Sequence, residues 1–182
     1  MHKPAEIEDE TIIYDYDHEM LLLVGDWYHK STDELLKKYL HWSSAGAEPV
    51  PSSVLVNGMG FYNCSMIGAN SDLQCIEGIE VPELGVDAGK KYRFRVVNVG
   101  SVSPKGPGMN ETSYFVRSLA GLTISISRSK MSAIQVDGGN KIKEHTKVES
   151  VGVLYPGERV DLILELDDLV ESHQLEVTLD QE

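Results

Sequence analysis

The clearest pattern of polar and apolar positions in the chain lies between residues 90 and 100. Tyr92, Phe94 and Val96 alternate with Arg93 and Arg95. In a pleated strand, alternate side chains point to opposite faces, so this pattern predicts a strand with one buried aromatic and aliphatic face. The two guanidinium groups are then expected at the solvent or against the acids of a neighbouring domain.

Similar short segments recur at intervals of roughly ten to twenty residues, which is the spacing of strands in a β-sandwich. Segment 20–24 is continuously apolar and predicts a strand covered on both faces. The other predicted strands are 53–58, 83–86, 114–117, 122–126, 131–136, 148–154, 160–166 and 175–179. Turn-forming residues at 137–140 and 155–158 separate some of them, the second in the pattern of a type II turn. The fold class predicted from these segments is all-β, a single β-sandwich.

One short helix interrupts the strands. Ser31 is followed three residues later by Glu34, which is the spacing of a capping box. A helix near residues 32–41 is therefore predicted. The apolar residues on one side of it are Leu35, Leu36, Tyr39 and Leu40.

Charge and hydropathy exclude two kinds of partner. The chain has 182 residues and a net charge of −13, with 29 acidic residues against 16 basic ones. Nucleic acids bind to basic surfaces, so a nucleic acid partner is not expected. No stretch approaches the roughly 18 apolar residues of a membrane span, and residues 1–6 show no signal peptide.

The two cysteines and two acceptor motifs bear on the cellular compartment. Cys64 and Cys75 lie in a loop rich in Asn, Ser and Gly, where they form either a small disulfide ring or two free thiols. Asn63 and Asn110 each begin an Asn-x-Ser/Thr motif and are candidate N-glycosylation sites. Together these features favour an extracellular, secreted protein.

Motifs for an active site within this chain are missing. The six histidines form no His-x-His pair, and neither cysteine has a histidine shortly after it, so no metal site is predicted for this chain alone. There is no Gly-x-Ser-x-Gly motif and no glycine-rich phosphate loop. The loops 59–80 and 101–113 are the best candidates for the walls of a binding pocket.

Five segments carry a resemblance to a known family. They are Asp-Trp-Tyr-His at 26–29, Gly-Ala-Glu-Pro-Val-Pro at 46–51 followed by Val-Leu-Val-Asn-Gly at 54–58, Tyr-Arg-Phe-Arg-Val-Val-Asn-Val-Gly at 92–100, residues 131–138, and Pro-Gly-Glu-Arg-Val-Asp at 156–161. In this order they resemble the middle (second) domain of three-domain multicopper oxidases, the fungal laccase and ferroxidase group. The resemblance spans nearly the whole chain.

The resemblance implies a cupredoxin-like Greek-key sandwich that binds no copper itself. In the family, copper is held by the first and third domains through His-x-His and His-Cys-His motifs, and this chain has neither motif. Residues 1–18 would then be a connector from a preceding domain, and residues 19–182 a single domain. Its expected partners are the flanking cupredoxin domains 1 and 3, which it would bridge while lining the substrate pocket.

The resemblance also implies a substrate class. Iron-oxidising members carry Glu where this chain has Asp26, and Arg128 stands where they have a second acidic residue. Because a guanidinium repels Fe(II), a small aromatic substrate such as a phenol is expected, with iron oxidation as the alternative. Asp26 would otherwise only stabilise the turn before the helix, and Trp27 and Tyr28 would belong to the core or an interface. From a different class, the chain would be a non-catalytic β-sandwich interaction module.

Overall fold

The computed structural model describes residues 10–47, 49–68, 71–72, 74–78, 83–100, 121–142, 147–166 and 173–179. The predicted strand 114–117, the predicted pocket loop 101–113 and the acceptor Asn110 lie outside these ranges.

The described residues form ten strands and two α-helices. The strands are β1 (His18–Trp27), β2 (Ser53–Val56), β3 (Lys91–Asn98), β4 (Leu122–Ile126), β5 (Lys130–Val136), β6 (Asn140–Lys141), β7 (Lys147–Val148), β8 (Ser150–Leu154), β9 (Arg159–Glu165) and β10 (Leu175–Leu179). The helices are α1 (Glu10–Tyr14) and α2 (Thr32–Leu40), with 3₁₀ turns at Trp42–Ser44 and Cys64–Met66.

Within these ranges the strands form two sheets. The large sheet has seven strands in the order β2-β1-β3-β9-β5-β6, with β7 also paired to β5, and the small sheet has the order β10-β4-β8. β1 and β3 run parallel, whereas β3, β9 and β5 alternate in direction. The core lies between the sheets and includes Leu22, Phe94, Ile124 and Leu162. The prediction of an all-β sandwich is confirmed.

The central strand β3 follows the predicted alternation on its inner face but not on its outer one. Tyr92, Phe94 and Val96 are buried, as expected, and Arg95 is 45% exposed. Arg93 is only 1% exposed, so the expectation that it faces solvent or another domain is wrong. The reason is that the segment before β1 crosses the outer face of the sheet and covers it. Tyr14 of this segment packs there against Ile134 and Ile163, with Tyr16 beside them.

Strand β1 is covered on one face, in contrast to the prediction. Leu22 and Val24 point into the core, whereas Leu21 is 52% exposed and Leu23 is also exposed. Their continuous apolar run is typical of a doubly covered strand, yet only one side is covered by this chain's described residues.

The predicted strand 83–86 is wrong. These residues form no ladder with any described strand. Gly85 interrupts the segment, and glycine weakens a strand because it has no side chain to pack. Only Leu84 packs against the core.

The predicted helix and its cap are confirmed. The Ser31 side chain accepts from the Glu34 N–H at 3.4 Å, and the Ser31 N–H donates to the Glu34 carboxylate at 3.3 Å. The helix ends at Leu40, one residue before the predicted end, and none of its residues is buried. Helix α1, of five residues, was not expected.

The turn at 155–158 is also confirmed. The Glu158 N–H donates to the Tyr155 carbonyl at 3.0 Å, and Gly157 has a φ of 88°. A type II turn requires a positive φ at this position, which is why glycine stands there.

Candidate functional site

Asp26 lies where the ends of β1 and β3 come close together. It pairs with Val54 across β1 and β2. A Cβ atom added to Gly100 would lie 3.2 Å from Asp26 Oδ1 and 2.9 Å from Asn98 Oδ1, so the two strand ends approach this closely because residue 100 is glycine. Asp26 is therefore held in a narrow corner of the sandwich.

Asn98 fixes this corner, and sequence reasoning did not single it out. Its Nδ2 donates to the Leu154 carbonyl of the small sheet at 2.8 Å, and its Oδ1 accepts from the Gly100 N–H at 2.8 Å. The side chain is almost fully buried. A polar residue at an inward position of an otherwise apolar strand face was the signal that could have identified it.

Arg128, the second candidate, is not near Asp26. It lies in the turn between β4 and β5 with a φ of 53° and is exposed. The start of β5 lies level with the start of β3, because Lys130 and Lys91 both pair with Glu165. Asp26 lies beside Gly100, at the other end of β3. At about 3.3 Å per residue the two candidates are about 30 Å apart along the strands, and no small ligand can contact both.

A cleft lies on the face of the large sheet that is opposite to the Asp26 side chain. It has a volume of about 750 Å³ and is lined by the end of β1, by β2 and by the loop that contains the cysteines. Its aromatic residues include Trp27, Tyr28, Phe61 and Tyr62, and we call it the aromatic cleft. Because neighbouring residues of a strand point to opposite faces, Trp27 enters this cleft while Asp26 faces the other side of the sheet.

The wall of the aromatic cleft is fixed by a disulfide bond. Cys64 and Cys75 are bonded, with their Cα atoms 5.7 Å apart, so the alternative of two free thiols is wrong. The segment that leads into this loop lies tightly against β2, because a Cβ atom on Gly60 would be only 2.5 Å from the Val54 carbonyl oxygen. The rings of Tyr62 and His29 also meet edge to face at 4.4 Å.

Two groups near the start of β1 have shifted pKa values. Burial raises the pKa of Tyr16, and its hydrogen bond to Glu19 raises it further. The backbone N–H of Lys91 lowers the pKa of Asp17, and the Lys90 ammonium lowers it further. Both groups lie at the edge of the outer face of the sheet, where their contacts fix the segment before β1.

The described residues do not provide a copper site. In the ranges that the structure covers, no three His, Cys, Asp or Glu side chains come close enough to hold a metal ion. The described residues therefore do not bring together the imidazole and thiolate ligands that copper prefers. None of the described helices has the length and apolar character needed to cross a membrane.

Parts of this chain are similar in sequence to known proteins. The sequence model described as multicopper oxidase matches residues 18–104. Laccase-2 of Botryotinia fuckeliana is 39% identical over 89 residues, which are 47% of this chain and 14% of that protein. An iron multicopper oxidase of Mycosarcoma maydis is 29% identical over 153 residues, 82% of this chain and 20% of that protein.

A solved structure supports the fold. The crystal structure of Fet3p, a multicopper oxidase that functions in iron import, aligns with 95% of this chain and 26% of its own, with a TM-score of 0.62 and 20% identity. The described residues thus have a cupredoxin-like fold, as the aligned part of Fet3p does. In sequence the chain resembles multicopper oxidases over residues 18–104 and over the stretches that it shares with these two relatives. It spans about a fifth or less of the length of these two curated relatives.

Proposed function

We propose that this chain is the copper-free middle domain of a secreted, laccase-like multicopper oxidase. It bridges two flanking cupredoxin domains, and Asp26 contributes to the substrate pocket between them. Copper held by the flanking domains would supply the transfer of four single electrons from phenolic donors to one dioxygen, which forms water.

The surface that would contact a flanking domain is formed by the exposed apolar side of α2 and by the 3₁₀ turn after it. Trp42 is 84% exposed, and Leu36 and Leu40 are also exposed. A nine-residue helix is marginal in water by itself, and helices in proteins are stabilised mainly by packing of their apolar face. Large exposed apolar patches mark interaction surfaces. The relatives are several times longer than this chain, so another domain of the same polypeptide is the partner that fits this surface.

The position of Asp26 favours a phenol over Fe(II). A carboxylate accepts a hydrogen bond from a phenolic hydroxyl, and a single acceptor is enough for that. A hard cation prefers several oxygen ligands. The second position considered for iron holds Arg128, which lies at the opposite end of the sheet. Iron oxidation remains the second candidate, because the relative from Mycosarcoma maydis is an iron multicopper oxidase matched over 82% of this chain.

The experiment is to purify the full-length protein, measure its copper content and follow oxidation of a phenol and of Fe(II) side by side. We expect several coppers per molecule and faster turnover of the phenol. Asp26→Asn weakens a charged hydrogen bond of about 1.5 kcal/mol, which corresponds to roughly a tenfold loss in kcat/KM for the phenol. Asp87→Asn is the matched control, because Asp87 is an exposed acid before β3, at the opposite end of that strand from Asp26, and it should leave kcat/KM unchanged.

Other outcomes select the alternatives. Faster turnover of Fe(II), further increased by Asp26→Glu, would establish the ferroxidase. A full-length protein without copper and without oxidase activity would leave a non-catalytic interaction module.

A further inference from the structure

We propose that Asn63 is an N-glycosylation site and that its glycan shields the rim of the aromatic cleft. In the reaction, Asn63 Nδ2 forms a bond to the first sugar carbon of a lipid-linked oligosaccharide diphosphate. The bond between that carbon and the diphosphate oxygen breaks, the lipid diphosphate leaves, and Nδ2 loses one proton. No electrons are exchanged with an oxidant or reductant.

The geometry of the Asn-Cys-Ser motif presents the amide nitrogen to the solvent. Asn63 caps the 3₁₀ turn Cys64–Met66. Its Oδ1 accepts from the Ser65 N–H at 3.1 Å and from the Ser65 hydroxyl at 2.8 Å. These two bonds orient the amide through its oxygen, and the side chain is exposed. Nδ2 therefore points away from the atoms that hold the oxygen.

Two other asparagines show the contrasting arrangement. Asn57 accepts from the Leu23 N–H at 2.8 Å and donates to the Leu21 carbonyl at 3.1 Å. Asn98 likewise uses both ends of its amide in structural hydrogen bonds and is buried. In both, the nitrogen is already committed to the fold. Asn63 differs because both hydrogen bonds of its amide go to the oxygen.

The apolar surface around Asn63 needs a hydrated cover that prevents association with other molecules. Phe61, Met66 and Ile76 are all exposed large apolar residues, and they flank Asn63 or the paired Cys75 in the same loop. Exposed apolar clusters promote association in solution. A bulky, hydrated glycan on Asn63 separates this surface from other molecules, and the disulfide keeps the attachment point at the rim.

The test uses the full-length protein secreted by a eukaryotic host. The native glycans are removed with an amide-cleaving glycosidase in heavy-oxygen water, which converts a glycosylated asparagine into labelled aspartate, and the peptide that contains residue 63 is read by mass spectrometry. We expect label at residue 63 in the wild type and in Ser65→Thr, which keeps the hydroxyl. Ser65→Ala, which keeps Asn63, should lose the label.

An unlabelled Asn63 in a protein that carries label at another acceptor would overturn the proposal, because the host is then competent. Label that persists in Ser65→Ala would do so as well, since the hydroxyl contact is then irrelevant. Neither result depends on copper content or oxidase activity. The proposed function and this inference therefore fail separately.

Discussion

The buried Arg93 offers the sharpest test of how the large sheet is held together. Its guanidinium lies 2.6 Å from Asp161 Oδ2 through Nη2, and Nε is 3.0 Å from the same oxygen. Nη2 also donates to Gln135 Oε1 at 3.1 Å. The rings of Tyr14 and Tyr16 lie 5.8 and 5.6 Å from the guanidinium carbon. One side chain thus joins β3, β9, β5 and the segment before β1.

Replacement by Arg93→Met keeps most of the volume and removes the charge. Asp161 is only 15% exposed, and its other cationic neighbour, Arg95 Nε, is 3.9 Å away. Breaking a buried ion pair by removing one partner costs about 3–5 kcal/mol, because the remaining charge is left without compensation. This is a large part of the roughly 5–15 kcal/mol that stabilises a typical domain.

The assay is hydrogen exchange of peptides from β3 and β9 in the full-length protein. At about 1.4 kcal/mol per factor of ten, exchange through opening of the sheet should be faster by roughly two to three and a half powers of ten. The control is Arg95→Met on the same face of β3, where the ion pair with Glu19 is half exposed. An exposed pair contributes about 0–1 kcal/mol, so this control should change exchange by less than tenfold.

A double variant separates the charge from the shape. In Arg93→Met combined with Asp161→Leu, the uncompensated carboxylate is gone, and well-packed apolar replacements of buried pairs are often neutral. We expect much of the lost protection to return. The reasoning would be refuted if Arg93→Met were no worse than Arg95→Met, or if the double variant were worse than the single one.

Three further predictions address local structure. Ser31→Ala removes the cap of α2 and should cost about 1 kcal/mol of helix protection in hydrogen exchange, whereas Thr32→Ala beside it should cost nothing measurable. Gly60→Ala places a Cβ atom 2.5 Å from a backbone oxygen of β2 and should lower the free energy of unfolding by about 1–3 kcal/mol in a denaturant titration. Gly68→Ala, which has open space around it, should leave the free energy of unfolding unchanged. The folded pKa of Asp17 lies below the ordinary 3.8, so its contribution to stability is present at neutral pH and is lost as the pH falls through the lowered value. In acid titrations the stability difference between wild type and Asp17→Asn should therefore shrink below pH 3.8 and vanish once the pH is below the lowered pKa. A constant difference down to the acid limit would contradict the assigned hydrogen bonds.

Much of the fold follows directly from the sequence. The alternation at 92–96 fixes which side chains of β3 face the core, and the Ser31 and Glu34 pair fixes where α2 begins. Pro156 and Gly157 determine the type of turn before β9. These features depend on residues close together in the chain, so a local pattern is sufficient to specify them.

The tertiary structure decided what covers each face and which distant residues meet. Periodicity indicates that the Arg93 side chain points to the outer face of the sheet. Its burial there depends on Asp161, 68 positions away, and on Tyr14 and Tyr16 from the segment before β1. In the same way, only the strand register shows that Arg128 lies at the far end of the sheet from Asp26. A pattern along one strand specifies a direction for each side chain, whereas its environment is set by chain segments that the local pattern does not contain.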